Sequence, residues 1–233
     1  MPKFAVILPA AGLSTRFGGP RSKLAENLQG QTVLDRSIAA FTGRNDVETV
    51  LIATRDASVT LEKVVCCQGG TSRAESVRNA LRIVPSHIEW VAVHDAARPL
   101  LSQVLIDRTF AAAVQHGAAV PALPVTLTIK QATGPLPAKV ERTIPRDRLW
   151  AMQTPQVMRR QALLDAFERC PIPLDQVTDD VQLLELAGHD VWLVAGEERN
   201  IKITTPLDLK LAELLIRASS ESDDQRGPRP VSS

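Results

Sequence analysis

Short apolar, β-branched runs alternate with stretches of helical periodicity along nearly the whole chain, and this alternation constrains the fold more than any other feature. It predicts an α/β fold with a parallel or mostly parallel sheet and helices on both faces. The runs read as strands are 4–8, 49–53, 63–67, 90–94, 118–122 and 191–195. Caps mark the helix starts at Thr32-Val33-Leu34-Asp35, at Ser72-Arg73-Ala74-Glu75 and at Thr205-Pro206-Leu207-Asp208, the last with Pro at the first helical position. The helix opened by Ser72 carries Ala74, Val77, Ala80, Leu81 and Val84 on one stripe. That stripe leaves Arg73, Glu75, Arg78 and Arg82 on the solvent face.

One segment breaks the alternation. Over 124–148 alternating apolar residues flank Thr133-Gly134-Pro135, which reads as a hairpin whose thin apolar face its own domain would cover poorly. Such an arm packs either on a second subunit or back on its own surface. The segment 219–233 is rich in Ser, Pro and charge with one aliphatic residue, so it is expected to be a disordered tail or a linker behind a single domain spanning 1–218.

Several function classes are excluded early. A formal net charge of +1 does not suit a protein that coats nucleic acid, because that affinity comes from many uncompensated Lys and Arg. The first apolar run has the length of a secretory h-region, but Pro9 interrupts it and cations follow where export wants neutral residues. No longer apolar run exists to span a membrane. Cys66, Cys67 and Cys170 have neither metal-ligand spacing nor a disulfide framework, so a cytoplasmic location is expected.

The residues with chemical potential cluster just after predicted strands, where an open α/β sheet places its ligands. After the first strand come Pro9, Ala10, Ala11 and Gly12, whose small side chains let backbone N–H groups approach phosphate oxygens, with Arg16 and Lys23 as countercharge. Alone, that loop reads equally as a tight strand-to-helix connection with two surface cations. Gln68-Gly69-Gly70-Thr71-Ser72-Arg73 follows the third strand and opens a helix whose free N–H groups suit an anion. His94-Asp95-Ala96-Ala97-Arg98-Pro99 follows the fourth, where Asp95 suits sugar hydroxyls or a magnesium shell and Arg98 can fork onto a phosphate. His94 reads as a packing residue, and Thr178-Asp179-Asp180 as a helix cap. Lys202 lies in what reads as an apolar strand, Asn200-Ile201-Lys202-Ile203, beside a helix start.

Taken in order, these motifs resemble the 2-C-methyl-D-erythritol 4-phosphate cytidylyltransferase family of the non-mevalonate isoprenoid pathway. The residues that carry the resemblance are PAAG at 9–12 with Arg16 and Lys23, GGTSRAESV from Gly69 to Val77, and VHDAARP from Val93 to Pro99. Further along are TIPRDRLW and QTPQ between Thr143 and Gln156, TDD at Thr178 to Asp180, and NIKITTPLD from Asn200 to Asp208. The resemblance implies a Rossmann-like (GT-A-like) nucleotidyltransferase fold with a protruding β-arm for dimerisation. It also implies CTP and a sugar-alcohol phosphate as substrates, Mg²⁺ held mainly by the CTP phosphates, and a homodimer. Arg16 and Lys23 are similar to the pair that stabilises the α-phosphate in the transition state, and Arg160 and Lys202 to those that hold the acceptor phosphate. Ala10, Ala11, Gly12, Gly69, Gly70 and Ser76 match the nucleotide wall, and Asp95, Ala96 and Arg98 the acceptor site. Thr143 and Arg160 would reach in from the partner's arm region. Two departures stand out: Ser22 replaces the Pro that commonly precedes the catalytic Lys, and Leu24-Ala25 replace a polar-aromatic pair. Some family members are fused to a later pathway enzyme, and the tail lies where such a domain would begin.

The chemistry needs no general base, because a phosphate monoester with a second pKa of about 6 is largely dianionic at neutral pH. The protein must supply position and countercharge for an in-line displacement. Two alternatives use the same cations: transfer to another polyol phosphate such as ribitol 5-phosphate, and nucleotide binding without turnover. VHDAARP and TPQ favour methylerythritol phosphate.

Overall fold

A computed structural model of the chain describes residues 1–12, 17–18, 22–55 and 61–224, with side chains through 218. The first strand, β1 (Phe4–Pro9), is buried along most of its length and sends alternate residues to opposite faces of the sheet. Phe4, Val6 and Leu8 join one core, while Ala5 and Ile7 join the other. This two-sided burial explains why the run is continuously apolar instead of alternating.

After a short ribbon of β2 (Asn27–Leu28) and β3 (Gln31–Thr32), α1 (Val33–Thr42) starts with the expected capping box between Thr32 and Asp35. Next come β4 (Val47–Thr54), β5 (Val64–Gln68), α2 (Arg73–Arg82), β6 (Trp90–Val93), α3 (Gln103–His116) and β7 (Ala118–Pro124). The hairpin follows as β8 (Ile129–Ala132) and β9 (Val140–Ile144), then β10 (Trp150–Met152) and β11 (Gln156–Arg159). The chain continues with α4 (Arg160–Glu168), α5 (Asp180–Leu186), β12 (Trp192–Ala195) and α6 (Pro206–Asp224). All six runs read as strands are strands, with ends displaced by a residue or two.

Eight strands form the main sheet in the order β10-β7-β11-β6-β1-β4-β5, with β12 on the other side of β7. β1 is parallel to both β4 and β6, and β4 to β5. The exceptions are β10 and β11, which run antiparallel to their neighbours. Because β11 lies between β6 and β7, it reverses the local direction and carries Gln156 next to Val93, at the C-terminal end of β6.

The hairpin pairs Ile129 with Ile144 and Lys130 with Thr143. Its polar side chains bond across the strands, as in the 2.8 Å contact between Gln131 and Glu141. Leu127, Leu136 and Val140 stand 75, 89 and 53% exposed. No helix among the described residues is long and apolar enough to cross a membrane. Of the segment read as a tail, 219–224 continues α6 and the rest lies outside the described residues. Helix propagation is inexpensive once the apolar turns before it have formed.

Candidate active site

A cavity of about 380 Å³ opens at the C-terminal ends of β1, β5 and β6. Its floor is the loop after β1, where the Ala10 N–H donates to the Ala53 carbonyl at 2.7 Å. The loop after β5 packs against it so closely that a Cβ on Gly69 would sit 2.2 Å from the Ala11 Cβ. A Cβ on Gly70 would likewise collide with Glu75 at 2.3 Å. Both glycines therefore answer to space.

The same loop is held from α2. Ser72 caps the helix, and the Ser76 hydroxyl accepts from the Gly70 N–H at 3.0 Å while donating to the Ser72 carbonyl at 2.9 Å. The Thr71 hydroxyl and N–H both donate to Glu75 at 2.7 Å, and this holds the Glu75 carboxyl below its ordinary pKa. Opposite, Lys23 starts a single 3-10 turn capped by Ser22, and Leu24 anchors it in the core. Ser22, one of the departures noted in the sequence, therefore caps this turn through its hydroxyl.

The residues after β6 divide between scaffold and site. The His94 Nε2 lies 3.1 Å from the Arg98 carbonyl, which can only accept, so Nε2 carries the proton. Nδ1 is then the acceptor for the Thr154 hydroxyl at 2.9 Å, and that same oxygen accepts from the Asp95 N–H at 3.1 Å. His94 is a satisfied core residue, and burial lowers its pKa from 6.5 to about 4. The folded state then takes up its proton below the pH at which the unfolded chain does, so stability falls with pH between 6.5 and 4. The loss attributable to this ring is on the order of 3 kcal/mol. Urea unfolding of His94→Gln checks this: its stability should fall less over that window than that of the wild-type protein, and parallel pH profiles would contradict it.

Asp95 is the electrostatic hub. Its carboxylate sits 3.1 Å from the Arg73 Nε, 2.8 Å from the Lys202 Nζ and 3.5 Å from the Arg98 Nε. Burial alone would raise its pKa, but these three cations hold it well below the usual carboxylate range. Arg73 corrects the sequence reading, since it points inward along the cavity wall and not to solvent. It also pairs with the fully buried Asp180 at 2.8 Å, and although burial disfavours its charge, the two carboxylates hold it firmly cationic. Residue 73 is the first of α2, and the stripe of the helix says nothing about what its overhanging first turn meets. Lys202 is a second correction, because its segment is not a strand. The backbone is held there by Ile203, which is buried and donates to the Ala97 carbonyl at 2.8 Å.

The structure brings Ala10, Ala11, Gly12, Lys23, Gly70, Ser76, Asp95, Ala96 and Lys202 to this one cavity. Gly69 lies behind its wall. Arg98 is turned away, donating to the Asn200 carbonyl at 2.7 Å. Thr143 is exposed on β9, accepting from Lys130 at 2.6 Å. Arg160 begins α4 with its N–H donating to the Glu89 carbonyl at 2.7 Å, at the opposite end of β6 from the cavity. Arg16 lies outside the described residues. Sequence reasoning missed Arg55, Phe17 and Thr204 on the wall, and it missed the Asp180 partnership behind it. Asp179 does cap α5 as expected, through the Gln182 N–H.

Among the described residues the wall thus presents Lys23, Arg55, Arg73 and Lys202 against one carboxylate, that of Asp95. That excess of fixed positive charge beside two glycine-bearing loops suits a polyanion such as a nucleoside triphosphate. No group of three or more His, Cys, Asp or Glu side chains that could hold a metal ion occurs among the described residues.

Comparison with known proteins converges on one family. The profile of 2-C-methyl-D-erythritol 4-phosphate cytidylyltransferase matches residues 4–218. A protein of that name from Dechloromonas aromatica is 38% identical over 94% of this chain and 99% of its own. Another from Symbiobacterium thermophilum is 42% identical over 91% of this chain and 92% of its own. The crystal structure of the Francisella tularensis 2-C-methyl-D-erythritol 4-phosphate cytidylyltransferase superposes with a TM-score of 0.81 at 32% identity, covering 91% of this chain and 99% of that one. The near-complete profile match and these full-length likenesses place the chain in the 2-C-methyl-D-erythritol 4-phosphate cytidylyltransferase family.

Proposed function

We propose that the protein transfers a cytidylyl group from CTP to 2-C-methyl-D-erythritol 4-phosphate, giving 4-diphosphocytidyl-2-C-methyl-D-erythritol and pyrophosphate. The observation that carries this reading is the cationic cavity bounded by the loops after β1 and β5, with Asp95 and Lys202 at its far side. An oxygen of the acceptor phosphate attacks the α-phosphorus, and the bond to the bridging oxygen of the β-phosphate breaks as pyrophosphate leaves. Arg16 and Lys23 supply countercharge where negative oxygens crowd together. Ala10, Ala11, Gly12, Gly69 and Gly70 form the nucleotide wall, with Ser76 fixing its shape.

On the acceptor side, Lys202 meets the phosphate while Asp95 accepts from the polyol hydroxyls. Asp95 is already shared by three cations and is no spare metal ligand, so Mg²⁺ would be held mainly by the CTP phosphates. When bound it neutralises triphosphate charge. The exposed hairpin and the placement of Thr143 and Arg160 away from their own chain's cavity support a homodimer in which each chain lends these two residues to the other. None of Cys66, Cys67 and Cys170 forms a disulfide, which suits a cytoplasmic enzyme.

The test is pyrophosphate release from each of the four nucleoside triphosphates with a panel of polyol phosphates. CTP with methylerythritol phosphate should exceed every other pair by at least about tenfold in kcat/KM. A preference for ribitol 5-phosphate, or release from none, would overturn the assignment.

A further inference from the structure

Burial opposes the charge of Asp180. It is fully buried, and apart from its 2.8 Å ion pair with Arg73 neither carboxylate oxygen has a hydrogen-bond partner among the described residues. A buried ion pair contributes little over an apolar pair of similar volume, because desolvation offsets the attraction. Its backbone, by contrast, is tightly fixed. The Gln156 Oε1 accepts from the N–H groups of Asp180 and Val181 at 2.8 and 3.2 Å, and the Gln156 Nε2 donates to Asp179 at 2.9 Å. Gln156 is itself in register with Val93, two residues before Asp95. The sheet therefore sets where the Asp180 carboxylate stands relative to the acceptor side of the cavity.

The consequence lies in how Arg73 is divided. Its Nε faces Asp95 Oδ1, while its Nη1 is drawn to Asp180. Held between two carboxylates, the guanidinium gives Asp95 one donor and leaves Oδ2 to Lys202 at 2.8 Å, with the Arg98 Nε farther off at 3.5 Å. Released from Asp180, it could lay a two-pronged edge on Asp95, the geometry that arginine and carboxylate prefer, and compete with the lysine for that oxygen. We propose that Asp180 is a positioning residue that partitions Arg73 between two carboxylates and thereby keeps the Asp95–Lys202 pair aligned for the acceptor phosphate. This rests on the reading of Asp95 and Lys202 as the acceptor side of the transferase.

The experiment is steady-state kinetics of full-length Asp180→Asn and Arg73→Lys, varying CTP and methylerythritol phosphate separately and recording the melting temperature of each protein. Lysine keeps the charge at 73 but cannot reach two carboxylates with fixed geometry. The expected result for both variants is a KM for the polyol phosphate raised about tenfold, with the KM for CTP within about twofold of wild type. Wild-type values in both variants, or equal rises for the two substrates, would overturn the positioning role. Should Asp180→Asn fail to fold, Arg73→Lys decides by the same criterion. Wild-type protein that transfers nothing to methylerythritol phosphate would instead refute the functional assignment itself, so the two failures are told apart.

Discussion

Replacing Lys23 with alanine is expected to cut turnover by about 10²–10³ while leaving CTP binding close to that of the wild-type enzyme. Its ammonium lines the cavity beside the loop after β1, on a 3-10 turn fixed by the Ser22 cap at its start and the buried Leu24 at its middle. A cation anchored in this way needs no reorganisation as charge builds on the pentavalent phosphorus, so its effect is concentrated in the transition state and not in the ground state. Arg16→Ala should behave alike. Steady-state kinetics check it: a raised KM for CTP with unchanged kcat would show that these residues merely bind nucleotide.

A second large effect is expected from mixed dimers. Thr143 and Arg160 lie away from their own chain's cavity, Arg160 at the far end of β6 and Thr143 on the exposed hairpin. If both serve a neighbouring subunit, Arg160→Ala and Lys23→Ala chains are each nearly inactive alone. Their hybrid contains one site with every residue restored. Co-refolded mixtures should then recover up to about a quarter of wild-type activity, because half the dimers are hybrids and each has one intact site of two. Activity that stays at the single-mutant level, despite subunit exchange proven by mass spectrometry, would mean that each chain completes its own site.

The parallel part of the sheet was legible because strands buried on both faces must be apolar at every position, as in Phe4 to Leu8 and Val50 to Ala53. The glycines at 69 and 70 and the small residues at 10 to 12 were legible for the same kind of reason, since few residue types fit there. β11 was not. Gln156-Val157-Met158-Arg159 is short, follows a proline and has polar ends, so only its slot between β6 and β7 makes it a strand. Ile201 and Ile203 imitate a strand around Lys202 because alternation records burial, and Ile203 is buried against a loop. Arg73 was misplaced because periodicity distinguishes the core side of a helix from the rest and cannot show a carboxylate brought over its first turn by α5. Asp180 was hidden behind its neighbour, since capping by Asp179 accounts for the motif without it.

The strand order also bears on how the chain assembles as it leaves the ribosome. β1 is made first yet sits in the middle of the sheet, flanked by β4 and β6, so the amino-terminal half can pair as it emerges. The other edge of β6 stays open until Gln156 to Arg159 arrives, and an unpaired apolar edge invites association with other chains. Asp95 gains Arg73 early, but Lys202 reaches it only when the last strand and the loop behind it are in place. A nascent chain therefore holds the loops after β1 and β5 and the Arg73–Asp95 pair well before Lys202 completes the cavity wall.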